Sequence, residues 1–205
     1  MPSSSAEPTL QDQWLHELRD AALERLAART PARYTQPVEL PAPVAAWAAA
    51  GQTATASLFL TGPIGVGKTH TAWTTLHAWL AACFNGAYRG NPTISIWRST
   101  SLFDALRPEG DDPRGVTKAA QEADLLYIDD LAAARVSPTG WTQERLYEIF
   151  DERYVRCRPT LITCDVLPKD LGDIVGPRVS SRLAEMCAGH VEFIVGADKR
   201  KGGSQ

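Results

Sequence analysis

The stretch "GPIGVGKT" (Gly62–Thr69) follows the apolar run "SLFLT" (Ser57–Thr61) and opens a helix-like segment. It fits G-x-x-x-x-G-K-[ST], in which glycines let backbone N–H groups converge on phosphate oxygens. Gly62, Gly65 and Gly67 supply that side-chain-free backbone, with Pro63, Ile64 and Val66 between them. Lys68 is spaced to reach β- and γ-phosphates, and Thr69 to offer its hydroxyl to Mg²⁺. The dipole of a helix starting here also favours an anion. Context agrees with the pattern. A strand reads over Ser57–Thr61, and a helix over Lys68–Ala82, with Ala72, Leu76, Leu80 and Cys83 near one face. The stretch, extended by His70, reads as a nucleotide site, with ATP and Mg²⁺ as the expected ligands.

The chain has 205 residues, 44% hydrophobic and 22% charged, which suits one globular domain with a substantial core. Its net charge is −3, which does not advertise a nucleic-acid-coating surface, so any DNA contact is expected from a local patch or an assembled ring. No apolar run is long enough for a membrane span and no secretory leader opens the chain, so no membrane partner and a cytoplasmic location are expected. Cys83, Cys157, Cys164 and Cys187 form no C-x-x-C pair and read as reduced, mostly buried thiols. His70 and His77, seven apart, read as packing or capping residues rather than metal ligands.

"MPSSSAEP" (residues 1–8) reads as disordered. A helix is expected from Thr9 to Ala28, with Leu15, Leu18, Ala22 and Leu26 as its apolar stripe. "RTPARYTQPVELPAP" carries four prolines and reads as an extended connector, followed by a short Ala-rich helix (Val44 to Ala50). Further strands are expected over Thr93–Arg98, Asp124–Asp130, Thr160–Asp165 and Val191–Val195. Helices are expected over "SLFDALR", Val116–Ala123 and Trp141–Arg156, with "PEGDDPRG" as a loop. The alternation implies a five-stranded parallel α/β sheet whose ligands lie beyond the strands' carboxyl ends.

"DLLYIDD" (Asp124–Asp130) ends in two carboxylates, costly at a strand tip unless a cation sits there. Asp129 is placed to hold Mg²⁺, as a Walker B aspartate does. Asp130 is placed to orient or deprotonate an attacking water. "TLITCD" adds a second polar tip, at which Asp165, with Thr163 as the alternative, is the candidate for sensing the γ-phosphate. A plain helix-capping turn at "CDVLPKD" is the competing reading.

In this order the elements resemble the AAA+ ATPases of the DnaC/IstB helicase-loader branch, over roughly Arg33 to Arg200. The residues that carry the resemblance are "RY" (Arg33, Tyr34), "GPIGVGKTH", "DLLYIDDLAA", "WTQERLYEIFDERY", "RPTLITCD" and "VGPRVSSRLAEMC". It implies a P-loop α/β/α sandwich over residues 31–196, after a helix in 9–30 and before a flexible tail in 197–205. It also implies nucleotide contacts from Arg33 and Tyr34, an arginine finger at Arg182, and Arg178 one turn before it. Three departures stand out. Cys164-Asp165 replaces the usual Ser-Asn or Thr-Asn, the segment before the ATPase is shorter than a loader's docking domain, and "ADKRKGGSQ", after the fifth strand, is expected to form no helical lid. Lys199 or Arg200 is a weak candidate for a nucleotide contact.

Family members bind ATP, assemble side by side on single-stranded DNA and place a helicase or transposase. By resemblance this chain is then a catalytic ATPase with Lys68, Asp130, Asp165 and Arg182 at work, forming a homo-oligomer when ATP-bound. Its partner is a replicative helicase or a transposase. Basic candidates for the DNA-facing element are Arg98, Arg107, Arg114 and Lys118. An IstB-like transposition ATPase is the neighbouring alternative. A small-molecule P-loop kinase is a different class, less favoured because no arginine-rich lid is present. A non-hydrolysing module that uses ATP only to fix its shape is a third.

Overall fold

A sheet covered on both faces needs strands that are apolar on both sides, and the central strands of this chain meet that need. The structure, a computed structural model, describes residues 9–85, 88–133 and 141–196, with the side chains of 141 and 142 outside the description. Its strands are Leu58–Thr61 (β1), Ile94–Arg98 (β2), Leu125–Asp129 (β3), Thr160–Thr163 (β4) and Val191–Phe193 (β5). They lie in the order β2-β3-β4-β1-β5, and every pairing is parallel. β4 therefore sits between β1 and β3, although it follows both in the chain.

The helices are Leu10–Arg29 (α1), Ala42–Ala49 (α2), Lys68–Ala82 (α3), Ser99–Leu106 (α4), Pro113–Glu122 (α5), Trp141–Val155 (α6), Gly172–Val175 (α7) and Pro177–Met186 (α8). Two cores result from the strand alternation. Leu58, Leu60, Leu125, Tyr127 and Leu161 join Leu26, Trp47, Ala72, Leu76 and Leu80 of α1–α3 on one face. Phe59, Leu126, Ile128 and Ile162 join Leu102, Leu146, Ile149, Phe150 and Leu183 of α4, α6 and α8 on the other. Among the described residues no helix is long and apolar enough to cross a membrane.

α1 opens with a capping box in which Thr9 and Asp12 exchange side-chain and backbone bonds. Its Ala22 and Leu26 enter the α3 core, and just beyond its end Thr30 Oγ1 lies 2.9 Å from His77 Nε2 of α3. Cys83, Cys164 and Cys187 are buried, Cys157 is exposed, and all four are free thiols. The expectations of disorder at residues 1–8 and of a flexible tail at 197–205, with Lys199 and Arg200, lie outside the described residues.

The widest boundary difference lies at α5; β4 and β5 each end two residues before the expected strand, and α2 and α4 each begin two residues before the expected helix. α5 starts at Pro113, three residues before the Val116 expected from the apolar pattern, so "PRG" is helical rather than loop. The Asp112 carboxylate accepts from Gly115 N at 2.9 Å, and proline suits a first helical position because its missing N–H is not needed there. The cap, not the apolar stripe, decides where this helix begins.

The α6–α5–β4 junction is held by Arg153, which is fully buried without an ion-pair partner among the described residues. Its Nη1 donates to the carbonyls of Ala120 (2.9 Å) and Ala123 (2.8 Å), and its Nε to Thr160 Oγ1 at 3.0 Å. Its Nη2 donates to Pro159 O. The guanidinium thus closes the carbonyl end of α5 onto the start of β4. Burial, with Arg158 nearby, pushes its pKa down to about 9. Arg153→Met should leave these acceptors unpaired at roughly 1–3 kcal/mol each. A total loss of about 3 kcal/mol or more is expected from urea unfolding. Arg153→Lys should recover only part of it, since an ammonium cannot fork between the acceptors.

Candidate functional site

β1 ends at Thr61, and the chain turns through Gly62, Gly65 and Gly67 at φ +137°, +89° and +107° before entering α3. These left-handed values are open to glycine and strained for other residues. Gly62 is confined from outside as well. A Cβ there would lie 2.4 Å from the Ile194 carbonyl oxygen, just past the end of β5. Lys68 Nζ donates to the carbonyls of Gly62 (2.7 Å) and Pro63 (2.9 Å), curling over the turn it follows.

The turn borders a cleft of about 510 Å³ beyond the carboxyl ends of the strands. Ile64, Gly65, Gly67, Lys68, Thr69 and His70 line it from the turn and α3, and Asp129, Asp130, Thr163 and Asp165 from the tips of β3 and β4. Arg33 and Tyr34 complete one wall, the Tyr34 ring 5.6 Å from that of His70. Gly62, Pro63 and Val66 do not line the cleft, and Val66 is buried in the α1–α3 core.

Asp129 is the meeting point. Its Oδ1 accepts hydroxyl bonds from Thr69 (2.9 Å), Tyr127 (2.8 Å) and Thr163 (2.7 Å). Thr163 Oγ1 in turn accepts from Asp130 N at 2.8 Å, so one β4 hydroxyl ties both carboxylate residues together. Asp130 sits at φ +57°, and Ser99 Oγ donates to its carbonyl at 2.6 Å. A non-glycine residue in this region costs about 1–3 kcal/mol and persists only where surrounding bonds enforce it. Burial and the Asp129 charge push the Tyr127 hydroxyl well above its usual range, so it stays a donor.

Arg182 is not part of this cleft. Its Nε donates to Asp151 at 3.1 Å, and its guanidinium lies 4.2 Å from the centre of the Tyr154 ring. Arg178, one turn earlier, lies 5.7 Å from the Tyr147 ring centre. Of the basic residues considered for DNA, Arg98 lines the cleft and pairs in register with Asp129. Arg107, Arg114 and Lys118 do not line it. Arg107 makes an exposed 3.4 Å ion pair with Asp104. Sequence reasoning missed Tyr127, Ser99 and Thr100 as neighbours of the carboxylates. For Tyr127 a signal was present, because residues two apart on a strand share a face.

The group fits ATP and Mg²⁺. Gly65, Gly67 and Lys68 line the cleft from the turn, and the Thr69 hydroxyl and Asp129 carboxylate meet inside it, as a hard cation's oxygen ligands would. Among the described residues no cluster of three His, Cys, Asp or Glu forms a separate metal site.

The fold is that of the AAA+ ATPases. The DnaI structure superposes with a TM-score of 0.57 at 17% identity, covering 97% of this chain and 88% of that one. The DnaC helicase loader gives 0.54 at 21% identity, with 94% of both chains covered. The replication initiator DnaA bound to AMPPCP and single-stranded DNA gives 0.54 at 20% identity, covering 92% and 48%. The loader resemblance carried by the sequence is thus matched in three dimensions. No protein-family model matches the chain. Among curated proteins, the phage-like element PBSX protein XkdC of Bacillus subtilis is 24% identical over 144 residues, 69% of this chain and 51% of that protein. The ATP-binding protein Rv3427c in an insertion sequence of Mycobacterium tuberculosis is 31% identical over 124 residues, 60% of this chain and 45% of that protein. The chain spans about half the length of these curated relatives.

Gly62→Ala tests the cradle. The added Cβ meets the Ile194 carbonyl and a left-handed backbone together, so a loss of about 1–3 kcal/mol is expected on thermal unfolding. ATP affinity measured by calorimetry should fall with it, because the turn cannot keep its shape.

Proposed function

We propose that this chain binds ATP with Mg²⁺ and hydrolyses it in a side-by-side assembly that loads or remodels a DNA-replication helicase on single-stranded DNA. The observation that carries the reading is the meeting of the P-loop threonine with the strand-tip carboxylate, Thr69 to Asp129 at 2.9 Å. Thr69 and Asp129 would hold the metal, which supplies charge neutralisation to the β- and γ-phosphates. Lys68 moves from the Gly62 and Pro63 carbonyls to phosphate oxygens, exchanging neutral acceptors for charged ones. Asp130, held by Thr163 and Ser99, orients the attacking water and takes its proton, and Asp165 and Thr163 report on the γ-phosphate from β4. Arg33, Tyr34 and His70 contact the nucleotide from the wall that they line.

Arg182 acts on the neighbouring subunit's ATP. The support is its place on α8 outside its own cleft, held by Asp151 and Tyr154 so that the guanidinium is steady before a partner arrives. A role in a mobile element is the second reading. It is favoured by the 31% identity to an ATP-binding protein in an insertion sequence, and by the similarity to a phage-like element protein. In that case a transposase or phage machine takes the helicase's place.

Two variants decide the geometry. Asp130→Asn should bind ATP and lose on the order of 10²–10⁴ in turnover. Arg182→Ala should also bind ATP, and lose up to about 10³–10⁵ in an assembly where the finger is essential. Mixed together, they should recover part of the hydrolysis, since an intact cleft of one meets an intact arginine of the other. No recovery, with mixed assembly confirmed by mass, would remove Arg182 from the neighbour's site. Pull-down of purified replicative helicase and of a transposase by the wild-type chain, with Lys68→Ala as control, separates the two partner readings.

A further inference from the structure

β3 reads Leu125-Leu126-Tyr127-Ile128-Asp129, and every residue before the carboxylate is buried. An aliphatic side chain at position 127 would serve packing as Leu125 does. Tyr127 instead carries a hydroxyl into the core beneath the cleft, where its ring stands edge-on to Trp73 at 6.0 Å with 1% of its surface exposed. A hydroxyl taken there without a partner is costly. Its partner is Asp129 Oδ1, at 2.8 Å.

That oxygen is oversubscribed. Thr69, Tyr127 and Thr163 all donate to it, whereas a carboxylate oxygen offers about two lone-pair directions. Thr69 is the donor at the start of α3 whose hydroxyl the proposed metal would recruit. Once it turns away, Tyr127 and Thr163 remain as two donors for two lone pairs. They come from different strands, so together they fix the rotation of the carboxylate and leave Oδ2 as the oxygen that none of the three reaches.

We infer that Tyr127 is a positioning residue, whose buried hydroxyl holds the Asp129 carboxylate in the orientation that receives Mg²⁺ with the nucleotide. This rests on the metal role proposed for Asp129. Residues that orient a metal ligand without touching the metal typically change metal affinity or activity by about 10–100-fold when removed.

The test measures ATP affinity by calorimetry with Mg²⁺ and again in excess chelator, for wild type and Tyr127→Phe. The ratio of the two affinities reads the metal's contribution within each protein, so a change in overall stability cancels. The ratio should fall roughly 10-fold in Tyr127→Phe, with affinity in chelator unchanged. An unchanged ratio in Tyr127→Phe overturns the inference. So does an equal fall in both affinities, which is what a loosened core gives. Asp129→Asn separates the two levels. If it loses the ratio while Tyr127→Phe keeps it, only the positioning role fails. If Asp129→Asn keeps the ratio, the metal assignment fails and the inference falls with it.

Discussion

A carboxylate at the end of a buried parallel strand has to be surrounded by donors, and much of this molecule's architecture follows from how Asp129 obtains them. One comes from α3 (Thr69), one from two residues back on its own strand (Tyr127), and one from the neighbouring strand β4 (Thr163). That arrangement needs β4 beside β3, and β1 close enough for its following helix to reach across. The strand order β2-β3-β4-β1-β5 gives both. With β4 moved to an edge, Asp129 and Asp130 would lose their common hydroxyl partner. The inserted strand is thus a requirement of the carboxylate pair as much as of sheet packing.

The same tie organises Asp130. Its left-handed backbone is paired through its N–H to Thr163 and through its carbonyl to Ser99, at the first turn of α4. Two elements on either side of β3 therefore hold the residue in a conformation that its own side chain disfavours. Strain of this kind belongs where direction matters more than stability, which suits the role proposed for Asp130. Arg98 closes the opposite side, its register with Asp129 bringing a cation to a cleft already lined by Lys68 and by the carboxylates of Asp129, Asp130 and Asp165.

Much of this was legible in the sequence because it is local. The glycine spacing of Gly62–Thr69, the apolar run before Asp129 and the polar tip after Ile162 each announce their position within a few residues. The parallel sheet followed from strands alternating with helices. Part of what escaped was set by distance along the chain. Arg98 read as one of four basic candidates for a DNA-facing element, because nothing near it in sequence says that β2 lies beside β3. Tyr127 escaped despite a local signal, since it lies two places before Asp129 and so shares a strand face with it. The start of α5 was misplaced for a similar reason. A local signal, Asp112 before Pro113, was present and outweighed by attention to apolar periodicity.

Gly62 shows why a motif match carries more than one constraint. The phosphate-binding pattern asks for glycine so that backbone can approach an anion. In this chain the nearest obstacle to a side chain is not on the ligand side, but at the Ile194 carbonyl beyond the edge strand β5. That carbonyl is fixed because Ile194 N donates to Thr61 O at 2.7 Å, which ties the end of β5 to the end of β1. The turn is thus clamped from below by β1, from outside by the β5 end and from within by Lys68. Each clamp bears on the same few peptide groups. A loop held this way loses little further freedom when an anion arrives, so less of the binding free energy goes into ordering the protein.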